Sequence, residues 1–527
     1  MLLSTFLVGF FFVQVLGEHI IFFHHVATYS HRVQTMPLAE ALSKRGHQVT
    51  FISPFYPKEP NPNITEIVPK QMEAYNDLNI GKEFNLELRI KNKLEPMLNF
   101  VYEMGLGSCD ALHKSSDFKT WLETTKKVDL VIIDYSMAEC GIGLAYKLGA
   151  KYVGFSVVPV VAHEPYTIGF LPESSAIPEL EILPPKAPMT FLQRVFNEIT
   201  SIRWRLAHLE YSSKIDTLIR KGLDVPEMPF IGDLLRNISL VFYTGDVISD
   251  YPRSLPPLHV NVAGIHCKTP KNVSLPLELE SFLNSSTTAG QENDGFVYIS
   301  LGSLVDSSSL PENIKTMFFE TIKAFPKLKF LWKWNGEFPK DIPSNLFLAR
   351  WFPQLKLLVH PRIQGFITQS GRPSTMEALY HGVPMIAFPV IGDQDATADR
   401  VNVMGGNTAL EIRTLNAQEL KEAVQKMVYD QSVKTRMQRL KTIFRDRPMT
   451  PLDTAVWWTE YVLRSEDTSH LRPAGNYQYW FQRRQLDVWL FLFTATMISI
   501  FTILFLLKTI FRKICNEMSR QDKIKLT

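Results

Sequence analysis

The feature that most restricts the structure of this 527-residue chain is an uncharged apolar run near its C-terminus, Val488 to Leu507. A helix rises 1.5 Å per residue, so the run is long enough to span the roughly 30 Å hydrocarbon core of a bilayer. A buried helix of a soluble protein is the alternative, although uncharged runs of this length are uncommon there. Basic residues are denser after the run than before it, which places residues 508–527 in the cytosol. The sequence therefore predicts a transmembrane helix at 488–507.

Both ends of the chain also carry targeting signals. Residues 1–17 are apolar and end at Gly17, which predicts a secretory signal peptide cleaved there; a buried strand or an uncleaved anchor is the alternative. Lys523 and Lys525 lie three and five positions from the end, a spacing that resembles a di-lysine retrieval signal to the endoplasmic reticulum. We therefore expect a single-pass type I protein of the endoplasmic reticulum membrane, with its main body in the lumen.

The glycosylation sequons, the cysteines and the net charge agree with a luminal body and exclude some classes of function. Four glycosylation sequons begin at Asn63, Asn237, Asn272 and Asn284. The predicted luminal cysteines, Cys109, Cys140 and Cys267, allow at most one disulfide among them and leave its pairing open. The net charge of +3 gives no nucleic-acid footprint, and no cysteine or histidine spacing indicates a metal site.

Short apolar runs alternate with helical patterns, which predicts parallel sheets covered by helices, an α/β fold. Predicted strands are 19–26, 48–53, 129–134, 295–301, 329–334, 363–368 and 384–389. A Pro-rich stretch suggests a linker at 251–262 between domains at 18–250 and 263–445, with C-terminal helices and a juxtamembrane segment at 446–487. We also predict a helix from Pro37 to Arg45, and one over 190–221 that stops at Gly222.

Polar residues follow the strands of the second half, at the edge where open α/β sheets bind ligands. They are Ser303, Trp351, Gln354, the segment Gln369–Glu377, and the pair Asp393 and Gln394. Together they offer an aromatic face, an acceptor for ribose, helix amides for phosphate and groups for sugar hydroxyls. Each has a structural alternative: Ser374 to Glu377 is also a capping box, Trp351 a core residue, and Asp393 with Gln394 a helix cap.

Residues 351–394, WFPQLKLLVHPRIQGFITQSGRPSTMEALYHGVPMIAFPVIGDQ, resemble the signature of the UDP-glycosyltransferase family, most closely its invertebrate members. YISLGS at 298–303 and DYPR at 250–253 extend the resemblance. It implies a GT-B fold, with two Rossmann-like domains facing a cleft. It also implies inverting transfer of a sugar from a UDP-sugar, which is a co-substrate, without a metal or a bound cofactor.

The resemblance also implies a role for each donor-site residue. Trp351 stacks on uracil, Gln354 contacts the nucleoside and Glu377 binds the ribose. Ser303 and the loop 369–375, with Ser374 and Thr375, hold the diphosphate. Asp393 and Gln394 hold the sugar, and Arg253 reaches the donor from the domain junction.

Two residues of the first half are candidates for catalysis. His31 lies in the predicted loop before Pro37, and Asp134 ends a predicted strand, so both can reach one edge of the cleft. A neutral imidazole can take a proton from a hydroxyl, and a carboxylate can stabilise the imidazolium. From the residues alone, a loop histidine and a helix cap are the simpler interpretations. The resemblance makes His31 the general base and Asp134 its partner; we expect a structural role for the rivals His24 and His25.

One departure from the family pattern keeps an alternative open. Most members carry His-Gly-Gly where this chain has Gln369-Ser370-Gly371, and Gln369 cannot be cationic. We hypothesise that Arg372 supplies the missing charge. The alternative function is a catalytically silent homologue that binds a hydrophobic ligand or a partner chain at the membrane.

The expected reaction transfers a hexose to a hydroxyl of a small lipophilic acceptor. Glucose is favoured because of the invertebrate resemblance, and glucuronic acid is the other candidate donor sugar. Acceptor binding is expected from residues 55–120 and 155–225, which are rich in apolar side chains. Homo-oligomers are common in the family, so a second copy is a further candidate partner.

Overall fold

The structure is a computed structural model. It describes residues 17–26, 28–79, 86–93, 96–160, 163–180, 188–271, 273–285, 292–302, 305 and 307–525. The predicted signal peptide lies outside the described residues except for Gly17, as do Asn272 and Ser303.

Strands of the described chain form two parallel sheets. The first contains β1 (His19–Phe23), β2 (Gln48–Ile52), β3 (Ile64–Ile67), β4 (Leu130–Asp134), β5 (Lys151–Ser156), β6 (Val241–Tyr243) and β7 (His259–Asn261). The second contains β8 (Phe296–Ser300), β9 (Lys329–Lys333), β10 (Leu346–Ala349), β11 (Ile363–Thr368), β12 (Met385–Ala387) and β13 (Asn407–Ala409).

Helices cover both sheets. In the first half they are α1 (Tyr29–Lys44), α2 (Lys70–Asn79), α3 (Leu86–Ile90), α4 (Val101–Lys114), α5 (Ser116–Thr124), α6 (Glu139–Leu148), α7 (Glu164–Ile168), α8 (Phe191–Leu223) and α9 (Ile231–Arg236). In the second half they are α10 (Leu277–Asn284), α11 (Glu312–Ala324), α12 (Gln354–Val359), α13 (Arg372–His381), α14 (Gln394–Val403), α15 (Ala417–Tyr429) and α16 (Gln431–Arg445). The C-terminal helices are α17 (Pro451–Arg464), α18 (Trp480–Arg483) and α19 (Leu486–Lys525).

The strand orders determine where each sheet can bind a ligand. The first sheet runs β3-β2-β1-β4-β5-β6-β7 and the second β10-β9-β8-β11-β12-β13. In both, the order reverses once, between β1 and β4 and between β8 and β11. Crevices open at the carboxyl ends of the strands at such switch points. The short β7 lies within the stretch 251–262 predicted as a linker and extends the first sheet.

Burial explains why the strand predictions succeed where they do. Every residue of β4 and of β8 is buried, so both strands appear in the sequence as continuous apolar runs. The structure adds short strands that lack such a run. One of them, β10, alternates buried and half-buried side chains over four residues.

Two helix boundaries differ from their predictions. Helix α1 begins at Tyr29 and contains Pro37, so His31 lies in the first turn of a helix and not in a loop. Pro37 removes one backbone hydrogen bond, but α1 buries Thr35, Leu38 and Leu42, and this packing maintains the helix.

Helix α8 continues through Gly222 to Leu223 and ends at Asp224, whose φ is 53°. Gly222 therefore does not stop the helix. It is a packing residue, because a Cβ there would lie 2.0 Å from the Nδ1 atom of His113.

The chain returns to the first domain after leaving the second. Helix α17 packs against α1, and Lys151 Nζ donates to the last carbonyls of α17, including that of Val462 at 2.9 Å. Arg45 pairs with Glu460 at 2.5 Å. The segment before the apolar helix is therefore attached to the first domain.

Helix α19 contains the predicted span 488–507. Of the described helices it alone is long and apolar enough to cross a membrane, with a mean hydropathy of 2.5 over its most apolar window. The structure also resolves the open cysteine pairing: Cys109 on α4 and Cys140 on α6 form a disulfide, and Cys267 is a free thiol.

Candidate functional site

A histidine and an aspartate meet at the switch point of the first sheet. His31 lies in the first turn of α1, just after β1, and Asp134 ends the neighbouring strand β4. His31 Nδ1 lies 2.5 Å from Asp134 Oδ2, while Asp134 Oδ1 accepts a hydrogen bond from the backbone N–H of Ser136 at 3.0 Å. With Nδ1 held in this way, Nε2 of His31 is the atom that can take a proton.

The surroundings keep Asp134 ionised. Burial alone would raise its pKa, but His31, then His24 and Ser136, hold the pKa well below its usual range. Burial lowers the pKa of His24 to about 4 and that of His25 to about 3. Both are therefore neutral at physiological pH, which agrees with a structural role for them.

Trp351 is a largely exposed side chain rather than a core residue, and a lysine covers one face of its ring. Its side chain is 58% exposed. Lys58 Nζ, from the first domain, lies 3.4 Å from the ring centroid and Lys333 Nζ lies at 5.4 Å. Burial, together with the charge of Lys58, lowers the pKa of Lys333 to about 8.

The sequence interpretation missed both lysines. Lys333 ends β9 at the ligand-binding edge, a position that could have identified it. Lys58 reaches the ring from the other domain, so no sequence spacing could have found it.

A hydrogen-bond network joins Gln354, Ser374 and Glu377. Gln354 Nε2 lies 2.7 Å from Glu377 Oε2 and 3.0 Å from Ser374 Oγ. The capping-box interpretation is wrong, because the N-cap of α13 is Gly371 and Ser374 lies inside the helix. Burial raises the pKa of the Glu377 carboxyl to about 7, although the Gln354 amide opposes this.

Between β11 and α13 the chain forms a turn suited to an anion. Ser370 has a φ of 63°, and the first N–H groups of α13 have no partner within the helix. Among the described residues, Ser370 Oγ and Thr375 Oγ1 are buried without a hydrogen-bond partner. Gln369 packs on Gly302 across the switch point, since a Cβ on Gly302 would lie 2.2 Å from Gln369 Nε2.

Arg372 forms ion pairs with two carboxylates. It is buried, with Nη2 2.9 Å from Asp250 Oδ2 and Nε 3.1 Å from Asp393 Oδ2. Burial alone would lower its pKa, but Asp250, Tyr243 and Asp393 raise it well above the usual value. The Nε, Nη1 and Nη2 groups of Arg372 are nevertheless buried without a hydrogen-bond partner of good geometry, so they remain able to donate to a ligand. The hypothesis that Arg372 replaces the charge missing at Gln369 stays a prediction.

Asp393 and Gln394 lie at the start of α14. Asp393 takes the N-cap position, but its side chain makes no capping bond and points to Arg372. Burial raises the pKa of Asp393, opposed first by Arg372 and more weakly by His31, which acts from the other domain across the cleft. Gln394 Oε1 accepts from the N–H of Val390 at 2.8 Å, so its amide N–H₂ group remains to donate.

The other predicted positions lie on the surface or at the domain junction. Arg253 is largely buried, with Nη2 3.9 Å from Asp250 Oδ1. The sequon residues Asn63, Asn237 and Asn284 are exposed. Asn284 accepts a hydrogen bond from Arg362 at 3.1 Å.

An aromatic and titratable cluster lies in the predicted acceptor-binding region. His163 stacks on His208 with ring centroids 3.9 Å apart, and Tyr102 stacks on Tyr211 at 4.7 Å. Burial raises the pKa of Glu139, at the start of α6, to about 7. Tyr102 lies in the predicted acceptor-binding stretch 55–120, and the other three aromatic or histidine side chains lie in the stretch 155–225. Glu139 lies on α6, the helix that follows Asp134.

Arg89 joins the domains beside the segment predicted to bind the sugar. From α3 it donates to both oxygens of Asp395 at 2.8 Å and to Glu411 at 2.8 Å. Asp395 lies in the first turn of α14, after Asp393 and Gln394. The pairing therefore fixes this turn relative to the first domain.

Comparison with known proteins agrees with this geometry. A family model described as UDP-glucoronosyl and UDP-glucosyl transferase matches residues 23–521. UDP-glucosyltransferase 2 of Dactylopius coccus is 30% identical, with 94% of each chain covered. UDP-glucuronosyltransferase 1A8 of Rattus norvegicus is 30% identical, covering 90% of this chain and 88% of its own.

Solved structures share the fold at low sequence identity. The calicheamicin glycosyltransferase CalG4 has a TM-score of 0.54 and 14% identity, covering 85% of this chain and 98% of its own. TcCGT1 in complex with UDP has a TM-score of 0.52 and 13% identity, with 85% and 99% covered. Two doubly wound domains facing one cleft thus define a GT-B glycosyltransferase. The chain belongs to the UDP-glucuronosyl and UDP-glucosyl transferase family, whose members transfer sugars from UDP-sugars.

Proposed function

We propose that this enzyme transfers a hexose from a UDP-sugar, with inversion, to a hydroxyl of a small lipophilic acceptor. The observation that carries the proposal is the His31–Asp134 pair, which faces the donor side of the cleft across from Asp393. His31 Nε2 removes the acceptor proton as the oxygen bonds to the anomeric carbon and the bond to UDP breaks. Asp134 stabilises the resulting imidazolium.

The donor side supports the same reaction. Trp351 has the exposed ring that uracil stacking requires, and Glu377 has the buried carboxyl suited to ribose hydroxyls. The N-terminus of α13, with Thr375, receives the charge of the departing diphosphate, a role that helix amides can fill without a metal.

Glucose is the proposed sugar. Asp393 offers a carboxylate and Gln394 an amide, which suit neutral hydroxyls. The cation beside Asp393, Arg372, is already paired with two carboxylates. A glucuronate carboxylate would be repelled by Asp393, which already shares Arg372 with Asp250. We further propose a type I orientation in the endoplasmic reticulum membrane, supported by α19 and the basic residues that follow the span.

The test is UDP release by the full-length protein in microsomes, with UDP-glucose or UDP-glucuronate and a panel of phenols and steroids. Acceptor-dependent release from UDP-glucose supports the proposal, and release only from UDP-glucuronate overturns the choice of sugar. A silent homologue would be favoured if the protein binds the donor but releases no UDP with any acceptor, and if His31→Ala binds the donor equally well.

A further inference from the structure

The long helix α8 exposes an apolar stripe on the face away from the core. Eight large apolar side chains on it are substantially exposed: Phe191, Leu192, Val195, Phe196, Ile199, Ile202, Leu206 and Leu209. Phe191 is 68% exposed, Leu192 64% and Phe196 62%. Soluble surfaces rarely carry contiguous apolar area of this kind unless it binds something.

Helical geometry places all eight on one side. At about 100° per residue they fall within an arc of about 140°. The residues that α8 buries, among them Asn197, Trp204 and His208, point in roughly the opposite direction. The stripe extends over about 27 Å, at 1.5 Å per residue from Phe191 to Leu209. We call the residues of this face the α8 stripe.

The α8 stripe adjoins the point where the apolar helix α19 begins. Arg484, two residues before α19, pairs with Glu198 at 3.0 Å and donates to the Tyr166 hydroxyl at 2.6 Å. Arg205 lies 4.7 Å from the ring centroid of Trp480. Glu198 and Arg205 both lie along one edge of the stripe, so these contacts fix the stripe beside the start of α19.

The composition around the stripe matches a membrane interface. Tyr477, Tyr479 and Trp480 are exposed in the segment before α19, and such aromatic residues concentrate at headgroup level. Arg194 and Arg205 lie on α8 outside the arc of the stripe, whereas Glu198 is paired with Arg484. The exposed Arg203 falls inside the arc, between the directions of Leu192 and Phe196, where its long side chain can extend to the headgroups. A helix with an apolar face and arginines beside it is suited to lie in the plane of the interface.

We propose that the α8 stripe is seated in the bilayer leaflet on the side of the catalytic domains, so that the first domain touches the membrane at a second place besides α19. The inference rests on the proposed crossing of the membrane by α19. Seating the stripe in the leaflet places α8 at the lipid surface. The opposite face of α8 carries His208 and Tyr211 of the aromatic cluster. A lipophilic acceptor dissolved in the leaflet would then lie one helix thickness from the predicted acceptor region.

The test uses the full-length chain in nanodiscs, with Cys267 and Cys515 replaced by Ser. A single environment-sensitive fluorophore is attached through Phe196→Cys. Leu492→Cys in α19 is the positive control, and Gln418→Cys on the exposed surface of α15 is the negative control. If Phe196→Cys does not fold, Leu206→Cys on the same stripe replaces it. The lipids carry a nitroxide quencher high in the acyl chain, and iodide serves as the aqueous quencher.

We expect the lipid quencher to reduce fluorescence at positions 196 and 492 but not at 418. Quenching at 492 without quenching at 196, with position 196 open to iodide, would overturn the inference while leaving the anchor intact. Shielding of position 196 from both quenchers would also overturn it, since a protein, such as a second copy, would then cover the stripe. Absence of lipid quenching at 492 would show instead that the proposed anchor is wrong.

Discussion

His31 and Asp134 are 103 residues apart in sequence, yet the Nδ1 atom of one lies 2.5 Å from the Oδ2 atom of the other. The contact exists because β1 and β4 are neighbours at the switch point of the first sheet, so the helix that follows β1 begins beside the end of β4. The carboxylate fixes which nitrogen carries the proton and leaves Nε2 to act.

Replacing Asp134 by Asn should lower kcat by about 10²–10⁴-fold with a small change in the KM for the donor, because the imidazolium loses its counter-charge. Asp129→Asn is the matched control. Asp129 precedes the opposite end of β4, where it pairs with Lys127. Steady-state kinetics measures both variants, and an unchanged kcat for the Asp134 variant would remove this residue from the reaction.

Donor affinity should depend on the protonation of Glu377. Its pKa is raised to about 7 by burial, so the carboxylate that accepts ribose hydroxyls forms only as the pH rises through 7. We therefore expect the affinity for UDP-glucose, measured by calorimetry without acceptor, to increase between about pH 6 and 8. The increase should be absent in Glu377→Gln, and an identical pH profile in both proteins would contradict this role.

The raised pKa of Glu377 should also lower the folding stability of the protein at neutral pH. An unfolded Glu377 loses its proton near 4.5 and the folded one near 7, so folding stability falls as the pH rises between these values. The loss is on the order of 3 kcal/mol at most. The unfolding temperature of Glu377→Gln should therefore fall less than that of the wild type when the pH is raised from 5 to 8. Parallel plots of unfolding temperature against pH for the two proteins would contradict this.

Arg372→Met should destabilise the protein by roughly 3 kcal/mol, because it leaves the half-buried Asp393 without this cation and the buried Asp250 with the more distant Arg253. A residue that served only to contact the diphosphate would behave differently, weakening donor binding without altering the unfolding temperature. Calorimetric unfolding of the variant beside Arg413→Met, a partly exposed arginine of the same domain, separates these outcomes.

Arg89→Ala should loosen the two domains at the sugar-binding turn. We expect a loss of about 2–3 kcal/mol of stability, less than for a fully buried pair because Glu411 is partly exposed. Misplacement of Asp393 and Gln394 should also lower kcat/KM by at least about tenfold. Arg436→Ala is the control, because the hydrogen bonds of Arg436 to Gly405 and Ser432 lie within the second domain. Equal effects of both variants would refute the domain-joining role of Arg89.

The sequence predicted the buried parts of this fold well, because fully buried parallel strands such as β4 and β8 are continuous apolar runs. It also predicted that His31 and Asp134 reach the same edge and that Gln354 and Glu377 cluster with other polar residues. It could not predict that α1 continues through Pro37, since packing against the sheet outweighs the local cost of a proline. Pairings across the domains, such as Lys58 with Trp351, depend on the docking of two sheets, which no local pattern encodes.

The return of α17 to α1 determines which half of the enzyme can move relative to the apolar helix. Lys151, Arg45 and the segment before α19 fasten that helix to the domain holding His31. The second domain is connected to it by the chain passing out near residue 262 and back near residue 446, and by the ion pairs of Arg89 with Asp395 and Glu411. Opening of the cleft as a swing of the second domain would therefore have to break the ion pairs of Arg89, while the first domain keeps its place beside α19.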